Sequence, residues 1–154
     1  MNCAPDEPTP GLSHGTKRKF GEASAVFEYA GEGCFVPEDV VCVKFHPSVV
    51  RVPCEAFYKH TQMREVIFNE GLEKIGMGAF GQCTSLESVA LPSSVTEIDE
   101  RAFGDCNNLR KITLNNGLQK IGRKAFCHCT SLESIVLPST VNHIDETSLD
   151  DAAI

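Results

Sequence analysis

A period of 23 residues constrains this chain more than any other feature. Phe57, Phe80, Phe103 and Phe126 recur at that spacing, each preceded by Ala, and Leu149 takes the next place. Other apolar columns keep the same step: Met63, Leu86, Leu109 and Leu132; Val66, Val89, Ile112 and Ile135; Phe68, Leu91, Leu114 and Leu137; Leu72, Val95, Leu118 and Val141; Ile75, Ile98, Ile121 and Ile144. No insertion breaks the register from Val40 to Leu149. A single unit of this kind cannot bury its inward side chains alone, so units must stack into a solenoid. Stacking at the strand spacing of about 4.8 Å sets each residue beside its counterpart in the next coil. A charge in an inner column would then be costly, and those columns hold no Asp, Glu, Lys or Arg.

Within one unit, Leu86-x-x-Val89-x-Leu91 ends in the alternation of a half-buried strand. Pro92 stops the pairing and starts a turn, and Asn115 does so in the other unit type. The chain is expected to dip inward at Val95 and Ile98. Asp99 or Gly76 then suits an N-cap before a short helical turn over the Ala-Phe pair. Outer columns alternate in sign: Arg64, Glu87, Arg110 and Glu133; Lys74, Glu97 and Lys120; Glu100, Arg123 and Glu146. They read as register-keeping pairs between coils.

A second period overlies the first. Residues 69–100 and 115–146 agree at 21 of 32 positions, so alternate coils differ. Asn-x-Gly-Leu opens one type (Asn69, Gly71, Leu72) and Pro-Ser-x-Val the other (Pro92, Ser93, Val95). The duplication reads as history, without functional weight.

These residues resemble the BspA-like leucine-rich repeat family, whose unit residues 86–106, LESVALPSSVTEIDERAFGDC, follow closely. The likeness runs over about 37–149. Pro53 and His60 replace the Gly and Cys of the unit in the first coil, and Asp99 replaces Gly in a later one. The resemblance implies an α/β right-handed, curved solenoid, with a parallel β-sheet on the concave face, short helical turns and about five coils. It implies ligand binding through that face, or adhesion in surface-exposed members, and no catalytic residues. The expected organisation is a disordered tail over 1–25, an N-terminal capping strand or hairpin over 26–36, and the solenoid over 37–154.

The chemistry of the polar residues points the same way. Formal net charge is −7 and no basic patch occurs, which disfavours nucleic acid. No apolar run reaches the roughly 20 residues of a membrane span, and the N-terminus lacks the apolar core of a secretory signal. A cytoplasmic location is expected, with Lys17-Arg18-Lys19 as a weak nuclear-import signal. Cys83, Cys106 and Cys129 form an inward ladder, and all eight cysteines are expected as free thiols. Cys127-His128-Cys129 lacks the ligand spacing of a zinc site, so neither metal nor cofactor is expected. His60 is expected to cap the Cys ladder.

What remains for function is the set of outward side chains on the concave strands. These are Cys42 and Lys44, Glu65 and Ile67, Ser88 and Ala90, Lys111 and Thr113, and Ser134 and Val136. Ile67, Ala90 and Val136 would make a shallow apolar patch beside Ser88, Thr113 and Ser134, suited to a flat or extended protein partner. The expected function is a non-catalytic protein–protein interaction module whose partner the sequence does not name. The alternatives are a cell-surface or adhesion module, or a repeat segment of a larger protein. The weakly capped C-terminal coil is a candidate for self-association.

Overall fold

In a computed structural model the described residues are 26–152. The expectations placed on residues 1–25, including the basic triplet, lie outside them. The chain winds into parallel rungs carried on two strand systems. One comprises β1 (Val26–Tyr29), β2 (Cys42–Phe45), β4 (Glu65–Ile67), β6 (Ser88–Ala90) and β8 (Lys111–Thr113). The other is a sheet of β3 (Arg51–Val52), β5 (Lys74–Ile75), β7 (Glu97–Ile98), β9 (Lys120–Ile121) and β10 (His143–Ile144), in the order β10-β9-β7-β5-β3. Ile98 therefore belongs to a second parallel sheet, where the sequence suggested a simple inward dip. These rungs span about four turns, fewer than the five coils expected.

The core is a set of columns, because a rung spacing near 5 Å forces like residues into contact. Phe57, Phe80, Phe103 and Phe126 are fully buried and stack nearly parallel. Successive centroids are 5.0, 5.3 and 5.7 Å apart, with interplanar angles of 1°, 5° and 7°. At the N-terminal end β1 pairs parallel with β2, Val26 opposite Cys42 and Tyr29 opposite Phe45. Tyr29 packs edge-on against Phe57 at 5.0 Å and covers the end of the phenylalanine column. At the other end the columns open. Leu137 and Ile144, expected inside, are 39% and 41% exposed, because no further coil among the described residues lies over them.

Among the described residues there is no helix, which corrects the expected helical turns. A helix spends its N–H groups on carbonyls four residues back. Here alternate N–H groups donate instead to the next coil: Glu55 to Met77 O at 2.8 Å, Phe57 to Ala79 O at 2.8 Å, Lys59 to Gly81 O at 2.9 Å. Reaching across requires left-handed residues at two points of each coil. Glu55, Gly78, Arg101 and Lys124 form one such column (φ 51–59°), and Lys59, Gln82, Asp105 and His128 the other (φ 57–64°). Asp99 caps no helix; its Oδ1 accepts the Glu100 N–H at 2.9 Å.

The two coil types differ in how they hold the coil before them. Asn69 donates its side-chain amide to His46 O and Val49 O at 2.7 and 2.9 Å, and its own oxygen accepts the Gly71 N–H at 2.7 Å. Asn115 repeats this with Pro92 O and Val95 O at 2.7 and 3.0 Å, and with the Gly117 N–H. Pro-type coils hold on through hydroxyls: Ser94 donates to Leu72 O at 2.6 Å and Thr96 to Glu73 O at 3.3 Å, and in the later coil Thr140 donates to Leu118 O at 2.8 Å.

Of the three alternating charge columns, one forms ion pairs. Glu97 bridges Lys74 at 3.1 Å and Lys120 at 2.6 Å on the second sheet, with Asp99 also on Lys74 at 3.2 Å. The columns at 64 and 100 make no ion pair within 4.0 Å among the described residues.

Cysteine chemistry follows burial. Cys83, Cys106 and Cys129 are fully buried, and each Sγ donates to the carbonyl of the phenylalanine 26 residues earlier, at 3.1, 3.2 and 3.2 Å. Burial pushes Cys83 and Cys129 up to about 12 and holds Cys106 well above its ordinary value. Cys54 is disulfide-bonded, a departure from the expectation of eight free thiols. His60 stands edge-on to Phe57 at 5.9 Å, with both ring nitrogens buried and without a hydrogen-bond partner.

Candidate protein-binding face

Alternation along a strand places every second side chain outside, and β4, β6 and β8 each show the pattern exposed, buried, exposed. Pairing then gathers the outward residues into two columns. Cys42 lies opposite Glu65 and Lys44 opposite Ile67. Ser88 lies opposite Lys111 and Ala90 opposite Thr113, and a single bridge joins Lys111 to Ser134. The first column therefore runs Cys42, Glu65, Ser88, Lys111, Ser134, and the second Lys44, Ile67, Ala90, Thr113, Val136. Lys44, Glu65, Ile67, Ser88, Ala90, Lys111, Thr113, Ser134 and Val136 are all exposed. Val136 is 79% exposed and Ile67 40%.

Cys42 departs from the expected pattern: it is 5% exposed, and its thiol donates to Glu65 Oε2 at 3.7 Å. Burial, then the Glu65 charge, raises its pKa. The sequence also carried no sign that Phe35, in the segment after β1, would be 83% exposed.

The strand ladder along this face is not continuous. β2 pairs with β4 and β6 with β8, but β4 and β6 form no ladder. Each intact ladder joins a coil to the Asn-type coil that stitches onto it, 46 to 69 and 92 to 115. Each break falls where a Pro-type coil follows and hydroxyls, not an Asn amide, reach back to the coil before. A shallow depression lies at each break. Glu65, Ile67, Glu70, Ser88, Ala90 and Pro92 line the first. Lys111, Thr113, Asn116, Ser134, Val136 and Pro138 line the second. The second occupies the positions of the first moved on by two coils, with Lys111 in place of Glu65, Thr113 in place of Ile67 and Asn116 in place of Glu70. The duplication that carried no weight in the sequence thus places the two hollows.

Elsewhere, beyond the Lys74–Glu97–Asp99–Lys120 group on the second sheet, the polar side chains form isolated pairs. His46 Nδ1 contacts Ser48 Oγ at 2.7 Å, and His128 lies 3.7 Å from Asp151. Among the described residues no group of three His, Cys, Asp or Glu side chains is placed to hold a metal ion. No helix among them is long and apolar enough to cross a membrane.

This stack of parallel rungs, with apolar columns inside and short strands outside, defines a leucine-rich repeat protein. The chain matches the BspA type leucine-rich repeat region over residues 28–153, in six copies, and belongs to that family. It is similar to the leucine-rich repeat protein of T. pallidum, with 28% identity and a TM-score of 0.72 over 82% of this chain and 58% of that one. A leucine-rich repeat protein from Bacteroides ovatus is 30% identical, with a TM-score of 0.56 over 68% of this chain and 30% of that one. A leucine-rich cell surface protein from Faecalibacterium prausnitzii is 23% identical, with a TM-score of 0.52 over 73% of this chain and 36% of that one, and shares the fold. This chain spans less than two thirds of each of those structures. No curated protein matches it.

Proposed function

We propose that the chain is a non-catalytic interaction module that binds a protein partner across the face formed by β2, β4, β6 and β8. The observation that supports this is the pair of equivalent depressions, whose walls combine exposed Ile67, Ala90 and Val136 with the hydroxyls of Ser88, Thr113 and Ser134. Apolar contact with a few placed polar groups is the make-up of a protein interface. The face lacks the large aromatic anchors of the tightest complexes, so its affinity is expected in the micromolar range. The test is capture of partners from the native source by the wild-type chain and by the double variant Ala90→Asp and Val136→Asp. Both substitutions are on exposed sites, so the variant is expected to fold. Loss of the captured partner supports the face, and undiminished capture overturns it.

A second contact surface belongs to the same reading. The exposed Leu137 and Ile144 offer a second copy an apolar patch at the last coil. Sedimentation across a range of concentrations tests it: Leu137→Ser with Ile144→Ser should shift a self-associating chain to monomer, and an unchanged profile overturns it.

A further inference from the structure

We propose that Asn116 is a modification site: the main-chain nitrogen of Gly117 converts its side-chain amide to a carboxyl through a cyclic imide, at a rate held down by Asn115. The proposal stands whether or not the face described above binds a partner.

Asn116-Gly117 is the one Asn-Gly pair in the chain, and every other asparagine precedes a residue that carries a side chain. A side chain there crowds the approach of the nitrogen, whereas glycine leaves it open. Packing fixes the glycine, since a Cβ on Gly117 would meet Ser93 O, in the coil before, at 2.6 Å. Asn115 is committed to the stitch through both its amide and its oxygen. Asn116 is exposed in the turn after β8, and its side chain makes no hydrogen bond among the described residues. The sister coil holds Glu70 at this place, before Gly71, and a carboxylate has no ammonia to lose.

In the first step the Gly117 nitrogen bonds to Cγ of Asn116 and gives up its proton. The Cγ–Nδ2 bond breaks, and ammonia leaves with that proton. Water then adds to one carbonyl of the imide and breaks its bond to the nitrogen. Opening at Cγ gives aspartate, and opening at the main-chain carbonyl gives isoaspartate. The sum is amide and water to acid and ammonia, with no change of oxidation state. The aspartate puts a carboxylate in the second depression at the position that Glu70 holds in the first. The turn also carries a brake. Gly117 N–H donates to Asn115 Oδ1, and this bond must be given up before the nitrogen can attack. One hydrogen bond lost on the way to the transition state slows a reaction about five- to tenfold.

The test is ageing of the full chain in mildly alkaline buffer beside a synthetic peptide of residues 112–120, Ile-Thr-Leu-Asn-Asn-Gly-Leu-Gln-Lys, with peptide mapping by mass spectrometry. Conversion is expected at Asn116 in both, while the exposed Asn107, Asn108 and Asn142 stay intact over the same period. The folded chain is expected to react at least about fivefold more slowly than the peptide. Asn115→Ala removes the acceptor and is expected to speed the folded chain about fivefold or more. Asn115→Asp loses the amide but keeps an oxygen for Gly117 N–H, and is expected to stay near the wild-type rate. Circular dichroism confirms that each variant is folded, and the wild-type comparison with the peptide reads the site without either. Asn116 still intact in the folded chain after many half-times of the peptide, or conversion spread evenly over the exposed asparagines, overturns the site. Equal acceleration by both variants overturns the role of Asn115.

Discussion

Asn115 donates its side-chain amide to the carbonyl of Pro92 at 2.7 Å, one coil before it. The same amide reaches Val95 O at 3.0 Å, so one side chain holds carbonyls at both ends of a turn that the Val95 N–H closes on Pro92 O at 3.2 Å. Asn69 does the same for the coil at His46. These two side chains decide where the strand ladder holds and, by their absence from the alternate coils, where it opens into a hollow.

Asn115→Ala should destabilise the chain by about 1–3 kcal/mol, because three buried or part-buried hydrogen bonds are lost together. The exposed Asn107→Ala is the control, with an effect expected within about 0.5 kcal/mol. Gly117→Ala should be at least as damaging as Asn115→Ala, since a Cβ there would meet Ser93 O at 2.6 Å. Urea denaturation of the variants checks the order.

Phe103→Ala should cost about 3–5 kcal/mol, the penalty of emptying a filled core site. Its ring is fully buried between Phe80 and Phe126, at 5.3 and 5.7 Å. Phe103→Leu should cost much less, since it keeps most of the volume. The denaturation midpoints of the two variants measure the difference.

Acid should weaken the second sheet through Glu97. Its hydrogen bond from Lys120, aided by Lys74, outweighs burial and holds the carboxyl below its ordinary value of about 4.5. The folded state thus binds this proton less readily than the unfolded chain. Its contribution is complete above about 4.5 and is lost as the pH falls through the lower folded value. Glu97→Gln should therefore reduce stability at neutral pH and flatten the acid limb of the stability curve. Chemical denaturation repeated from neutral to acid pH checks this.

Cys83, Cys106 and Cys129 should resist alkylation until the chain unfolds. At a pKa of about 12 against an ordinary 9, Cys83 holds about a thousandfold less thiolate near neutral pH, and no reagent has access. The part-exposed Cys34 should react first. Mass spectrometry of iodoacetamide adducts, with and without denaturant, reads the order; rapid labelling of the three core thiols in the folded chain would contradict it.

The phenylalanine column could be read directly because stacking sets each buried ring against its counterpart one coil away, and a much smaller residue there would leave a void. The outward set from Lys44 to Val136 was legible for a related reason: alternation leaves no other face for it. Cys42 was not, since the same alternation puts it outside while a small thiol beside Glu65 can still be covered. Leu137 and Ile144 share their columns with buried residues, and their exposure depends on what lies over them rather than on what they are. The helical turn expected at Asp99 failed because local capping signals compete with bonds to the next coil, and the sequence window holds only the local half of that contest.

By itself the sequence determined the 23-residue step, the inward columns and the strands that face out, because each follows from repetition and the cost of burying charge. The tertiary structure alone decided that left-handed turns replace helix and that a second sheet carries the ion pairs. It also decided that the ladder breaks every second coil. Each of these depends on a bond between residues 20 or more apart, such as Asn115 to Pro92 and Lys120 to Glu97. Such a bond exists only once neighbouring coils have closed on one another.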